Sequence, residues 1–235
     1  MSVLVMGAGR TGTNMLLEIV AGSSRLETYR PYVDISPNFL NSHPDLVHEK
    51  FLSNCDTIGI VSLERLHKFI NDNSELKILF TVRDWRDAAL SKIYRGQPGQ
   101  DGNRRLAADA SVEGCLIDIF WSKVVYDYLK QKIPNRVKLV KMEDIILNSD
   151  TTIKDVCKFC EIPYEEDMLS FNDRYGNPYK KERYKKGFDK KQVGLYKRVD
   201  ELYEGFFKTH NADLDFLFNE LGQFLDYYDY ERENK

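Results

Sequence analysis

Apolar residues in this chain fall first in short unbroken runs and then at helical spacing, and the alternation recurs along the first two thirds of the sequence. Val3-Leu4-Val5-Met6 is such a run, closed by glycines, and Met15-Leu16-Leu17-Glu18-Ile19-Val20 continues as a helical stripe. A run apolar at every position suits a strand buried inside a parallel sheet. Thr57 to Val61 predicts a second strand, with Ser62 capping a helix that runs to about Asn73. Ile78 to Val82 predicts a third, followed by a helix from about Trp85 to Tyr94. The stretch from Gly96 to Asn103 reads as loop, and Ser111 opens a long helix that Pro134 ends. Val137 to Val140 predicts a fourth strand, and Asp150 caps a helix carrying Cys157 and Cys160. Strands alternating with helices predict an α/β fold with a mainly parallel sheet and helices on both faces. We expect one domain, with the α/β core in residues 1–171 and a helical C-terminal extension in 172–235.

Composition narrows the function classes. With 235 residues, 42% of them apolar, the chain can bury one substantial core. Its 34 Lys and Arg are outnumbered by 37 Asp and Glu, which argues against a dedicated nucleic-acid binder. The charge is unevenly placed: nine Lys or Arg lie between Lys180 and Arg198, and seven acids between Asp213 and Glu233. No stretch reaches the roughly 18 apolar residues of a membrane span, and no secretory leader is visible, so a soluble, cytoplasmic protein is expected. Cys157-Lys-Phe-Cys160 has CxxC spacing but sits on a helical stripe with no second pair or matching histidines, so it reads as core packing and no metal site is expected.

The chemistry concentrates at the first strand-to-helix junction, Gly7-Ala-Gly9-Arg10-Thr11-Gly12-Thr13-Asn14. A glycine turn there offers backbone N–H groups and a positive helix end to an anion. The segment satisfies GxGxxG, so an NAD(P)-dependent oxidoreductase is one reading. It also satisfies GxxxxG of a phosphate loop, but with Thr13 in place of the lysine and Asn14 in place of the magnesium-binding hydroxyl of a nucleotide triphosphatase. A catalytically silent nucleotide-binding protein is a third reading.

Arg10-Thr-Gly-Thr-Asn14 resembles the 5'-phosphosulfate loop of sulfotransferases that use 3'-phosphoadenosine 5'-phosphosulfate (PAPS). That family has a basic residue followed by Ser/Thr-Gly-Ser/Thr at this place, and the Arg form is most similar to its carbohydrate and tyrosylprotein members. Ile78-Leu-Phe-Thr-Val-Arg83-Asp-Trp-Arg-Asp-Ala-Ala-Leu-Ser91 is similar to the family's 3'-phosphate segment, in which an Arg at a strand end and a Ser eight residues later hold that phosphate. Arg83 leaves the strand tip and Ser91 stands about two helical turns on, so both can reach one phosphate.

The resemblance implies a P-loop-like α/β/α fold, PAPS as sulfuryl donor with adenosine 3',5'-bisphosphate (PAP) as product, and a small-molecule or glycan acceptor. It implies cofactor contacts from Gly9, Arg10, Thr11, Gly12, Thr13 and Asn14, and from Arg83 and Ser91. Lys186 and Gly187, within Tyr184-Lys-Lys-Gly187, are similar to a C-terminal cofactor loop of the family, as is Gly194-Leu-Tyr196. Val140-Lys-Met-Glu-Asp144 stands where many members carry Tyr-Glu-Asp-Leu, with Met142 in place of the tyrosine. Arg10 would stabilise the separating charge. Transfer to a hydroxyl also needs a base. Glu27, in the Glu-x-x-Arg setting that follows the first helix in Arg-type members, is the first candidate, and His48 with Glu49 are the second.

Overall fold

Val3–Ala8 (β1) is buried at every position, as befits a strand flanked on both edges and covered on both faces. The computed structural model describes residues 2–29, 46–52, 63–95, 112–174, 188–199 and 214–230. Glu27–Tyr29 (β2), Leu46–Leu52 (β3), Lys77–Val82 (β4) and Val137–Lys141 (β5) join β1 in one sheet of order β2-β3-β1-β4-β5. All its pairings are parallel, so the sheet is an α/β sheet as expected. The helices are Thr13–Val20 (α1), Leu63–Asp72 (α2), Trp85–Arg95 (α3), Val112–Lys132 (α4), Met142–Leu147 (α5), Ser149–Cys160 (α6) and Leu214–Leu225 (α7).

Alternating side chains of the strands sort into two cores, which gives three layers. Leu4, Met6, Ala8, Ile78, Phe80 and Val82 face a cluster that includes Leu90 of α3, Leu129 of α4 and Leu221 of α7. Val3, Val5, Leu79 and Val140 face the other side, against Leu16 and Ile19 of α1 and Ile153 and Val156 of α6. Each fully buried aliphatic side chain contributes about 1.5–3 kcal/mol relative to exposure. The C-terminal segment belongs to the first core, to which α7 adds Leu221 and the turn after it adds Tyr228.

Two sequence expectations change, and the core-packing reading of the cysteines holds. Strands β2 and β3 stand in stretches to which the sequence pattern assigns no strand, and the expected strand at Thr57 to Val61 lies outside the described residues. Helix α6 starts at Ser149 after Asn148, so Asp150 is in its first turn and not at its cap. An acid there still suits the positive helix end, and its carboxylate accepts from Lys154 Nζ and Tyr164 Oη, each at 2.7 Å. The CxxC cysteines are buried in the second core, and burial pushes the thiols of Cys157 and Cys160 up to about 11 and about 12.

Candidate active site

The chain runs from β1 to one side of the sheet and, after β3, crosses to the other, so the connections leaving β1 and β4 diverge. Ligands of open α/β sheets lie in such a crevice, beyond the carboxyl ends of the strands. Gly9–Gly12 leaves β1 there and Arg83–Asp84 leaves β4. Both sequence motifs therefore meet at one place.

Close backbone approach sets the turn. A Cβ on Gly7 would stand 2.3 Å from Thr81 Oγ1 and 2.5 Å from the Thr81 carbonyl oxygen, so only glycine lets β1 and β4 pair at this level. Thr11 Oγ1 donates to the Ala8 carbonyl at 2.7 Å and lies 2.9 Å from Thr81 Oγ1, which folds the Thr11 side chain inward beneath the turn. Gly12, at φ 92°, takes the left-handed conformation at the start of α1 and brings no capping side chain. Arg10 also has a positive φ, 73°, a setting costly for a side chain other than glycine or asparagine. Such strain at a loop tip marks a conformation fixed by its surroundings.

Those surroundings are the second motif. Arg10 Nε donates to Ser91 Oγ at 3.0 Å, across 81 residues of sequence. Arg83 Nη1 donates to the Arg10 carbonyl at 3.3 Å, and Nη2 donates to the Gln192 carbonyl. Arg83 is only 1% exposed and has Asp87 3.9 Å away. Two guanidinium groups and a hydroxyl thus converge on the crevice. Thr13 is buried at the start of α1, Asn14 is partly buried beside it, and nothing lies within 4 Å of where a Cβ on Gly9 would stand. Space over the turn, two guanidinium groups and a helix start fit a doubly phosphorylated nucleotide. Met142 packs on the loop from the far side, with its Cγ 3.0 Å from the Cβ position of Gly12.

Carboxylates that sequence reasoning passed over brace this cluster. Asp87 is fully buried and accepts from the Gly194 and Tyr196 amides at 2.7 and 2.9 Å. Burial pushes its carboxyl above the usual carboxylate value, against the pull of the Arg83 charge. Asp84 binds Arg86 through two contacts, 3.0 Å to Nε and 2.7 Å to Nη2, and the Arg86 guanidinium lies 3.5 Å from the Tyr196 ring centroid. The segment 188–199 is therefore fastened to the start of α3 by one carboxylate, one stacked arginine and the Arg83 bond to Gln192. Lys186 and Gly187, just before it, lie outside the described residues.

The candidate bases are not brought to the loop equally. His48 is level with Leu4 and Glu49 with Val5, in the strand beside β1. Glu27 is level with Leu46, one strand further out. At about 3.3 Å per residue, Glu49 and His48 stand roughly 10 and 13 Å below the Ala8 tip and Glu27 roughly 20 Å. By register, His48 and Glu49 stand nearer the level of the loop than Glu27 does. Glu27 begins β2, because a parallel crossover returns the chain to the amino ends of the strands.

Residues 1–207 match the family described as sulfotransferase domain. The chain belongs to the sulfotransferase domain family. No curated protein is significantly similar to it in sequence. Solved structures share its fold. A sulfotransferase domain from the curacin biosynthetic pathway is similar at TM-score 0.66 and 13% identity, covering 97% of both chains. The sulfotransferase domain of the Synechococcus PCC 7002 olefin synthase is similar at TM-score 0.60 and 11% identity, over 98% of this chain and 94% of that one. Mouse sulfotransferase SULT7A1, complexed with PAP, is similar at TM-score 0.55 and 16% identity, over 93% and 88%. Among the described residues, no helix of this sulfotransferase-family chain is long and apolar enough to cross a membrane.

Proposed function

We propose that this family member transfers a sulfuryl group from PAPS to a hydroxyl of a small-molecule or glycan acceptor. The observation that supports it best is the convergence of Arg10, Arg83 and Ser91 at the crevice between β1 and β4. In this reading Gly9 to Asn14 hold the 5'-phosphosulfate, Arg83 and Ser91 hold the 3'-phosphate, and Lys186 and Gly187 are further cofactor residues by resemblance to the family. When bound, PAPS supplies the sulfuryl group and a phosphate leaving group. Arg10 stabilises, in this reading, the negative charge that develops on the leaving oxygen. Residues of β3, His48 or Glu49, take the acceptor's proton, with Glu27 as the alternative base. A single cationic side chain and backbone donors can serve this chemistry without a metal, because the transferring group carries little charge. The Arg form of the loop leaves a carbohydrate as the favoured acceptor.

Sheet order weighs against the dinucleotide reading. A Rossmann site needs the strand after the glycine-loop helix beside β1, so that its terminal acid reaches the ribose. Here β3 occupies that place and β2 lies beyond it. Incubation with PAPS and a mixed panel of sugars, phenols and alcohols, read by mass spectrometry, tests transfer. The expected result is one acceptor class gaining the mass of a sulfuryl group, lost in Arg10→Ala. PAP binding without any transfer across the panel would favour the silent binder.

A further inference from the structure

The family match ends at residue 207, yet the chain beyond it reaches the crevice. Tyr230 Oη donates to Glu143 Oε2 at 2.8 Å, and the other oxygen, Glu143 Oε1, accepts the backbone N–H of Asp84 at 2.9 Å. Asp84 directly follows Arg83. The same C-terminal turn makes three more contacts nearby. Lys141 Nζ donates to the Asp229 carbonyl at 3.4 Å and lies 4.8 Å from the Tyr230 ring centroid. Tyr228 packs against Trp85, with ring centroids 5.8 Å apart. A segment that starts more than a hundred residues away in sequence thus holds Trp85 directly and Asp84 through Glu143.

Taking the cofactor reading above as its basis, we propose that Tyr230 and Glu143 are positioning residues, which fix the turn after β4 so that Arg83 meets the 3'-phosphate. Asp84 is the first residue of a turn whose direction decides where the Arg83 guanidinium points. Its N–H is a donor at the amino end of α3, where no earlier carbonyl of that helix can take it. A buried carboxylate is an expensive acceptor unless its second oxygen is also satisfied, and Tyr230 supplies that second donor. Burial does push the Glu143 carboxyl above the usual carboxylate value, with the Asp84 amide and the Tyr230 hydroxyl working against it. The hydroxyl therefore favours the ionised form of Glu143, in which both oxygens accept.

Tyr230→Phe isolates this link, because the ring stays over Lys141 and only the hydroxyl is lost. In the full chain, calorimetric affinity for PAP should fall about two- to tenfold, the equivalent of one ordinary hydrogen bond. Affinity for adenosine 5'-phosphate, which lacks the 3' group, should not change. Amide exchange at Asp84 should quicken in the absence of any nucleotide. Glu143→Ala should lose more PAP affinity than Glu143→Gln, which keeps one acceptor oxygen for Asp84. Equal PAP affinity in Tyr230→Phe and the unaltered chain, or an equal loss for both nucleotides, overturns the inference alone. Failure of the unaltered chain to bind PAP overturns the cofactor reading and the inference with it.

Discussion

Asp87→Asn is the substitution that best separates the forces holding the site. The native carboxylate is 0% exposed and takes two backbone donors, Gly194 N–H at 2.7 Å and Tyr196 N–H at 2.9 Å, beside Arg83 at 3.9 Å. Asparagine keeps the shape but has one acceptor oxygen, so one of the two amides meets an NH₂ group and loses its partner. Losing one charge-assisted bond costs about 1.5–3 kcal/mol. The charge itself was expensive to bury, so removing it returns part of that cost, and a net loss of about 2 kcal/mol is expected. The pH dependence carries the sharper test. Because burial raises the Asp87 pKa, the folded chain binds the proton at a higher pH than the unfolded chain does. Its contribution to stability is then fully present below the ordinary carboxylate value of about 4 and is lost as pH rises through the raised value. Urea unfolding of native and Asp87→Asn chains at several pH values should therefore show a gap that widens as pH falls from neutrality. A gap that narrows would mean that Arg83 and the two amides outweigh burial, and a gap below about 0.5 kcal/mol throughout would mean that segment 188–199 is not held by this carboxylate.

Gly7→Ala should lower stability by about 2–3 kcal/mol, a drop of roughly 5–10 °C in Tm by calorimetry, because its Cβ would collide with backbone and side chain of Thr81; an unchanged Tm would contradict the close approach of β1 and β4. Iodoacetamide at mildly alkaline pH should leave Cys157 and Cys160 unmodified in the native chain and alkylate them after denaturation, since burial raises both thiols; peptide mapping that finds native alkylation would refute their packing in the core. Glu49→Gln should depress turnover roughly 10²-fold with PAP affinity intact, whereas Glu27→Gln should stay near the native rate; the opposite outcome would return the base to Glu27.

The sheet was legible in sequence where its strands are apolar throughout. Val3–Ala8 and Lys77–Val82 carry buried runs bounded by turn signals, and both stand where the pattern placed them. Leu46–Leu52 reads Leu-Val-His-Glu-Lys-Phe-Leu, with three polar residues at its centre, and Glu27–Tyr29 spans only three positions, so neither gives a strand period. The meeting of Arg10, Arg83 and Ser91 was legible because each sits at a fixed offset from a strand end. The braces around it were not. Asp87 and Glu143 look like ordinary charges of helix starts, and their partners Gly194, Tyr196 and Tyr230 are about 90 or more residues away, a distance that only the folded chain closes. Strand level was not legible either: the sequence shows that Glu27 soon follows α1, but not that it begins β2 at the level of Leu46.

Isothermal titration of the chain with PAP, adenosine 5'-phosphate and NAD⁺, in buffer containing EDTA, tests the central claim most directly. PAP should bind without Mg²⁺ and roughly 10- to 100-fold more tightly than the monophosphate, the value of a charge-assisted contact from Arg83 and Ser91 to the 3'-phosphate. Equal affinity for the two adenosine nucleotides, tighter binding of NAD⁺, or binding that appears only when Mg²⁺ is restored would contradict it.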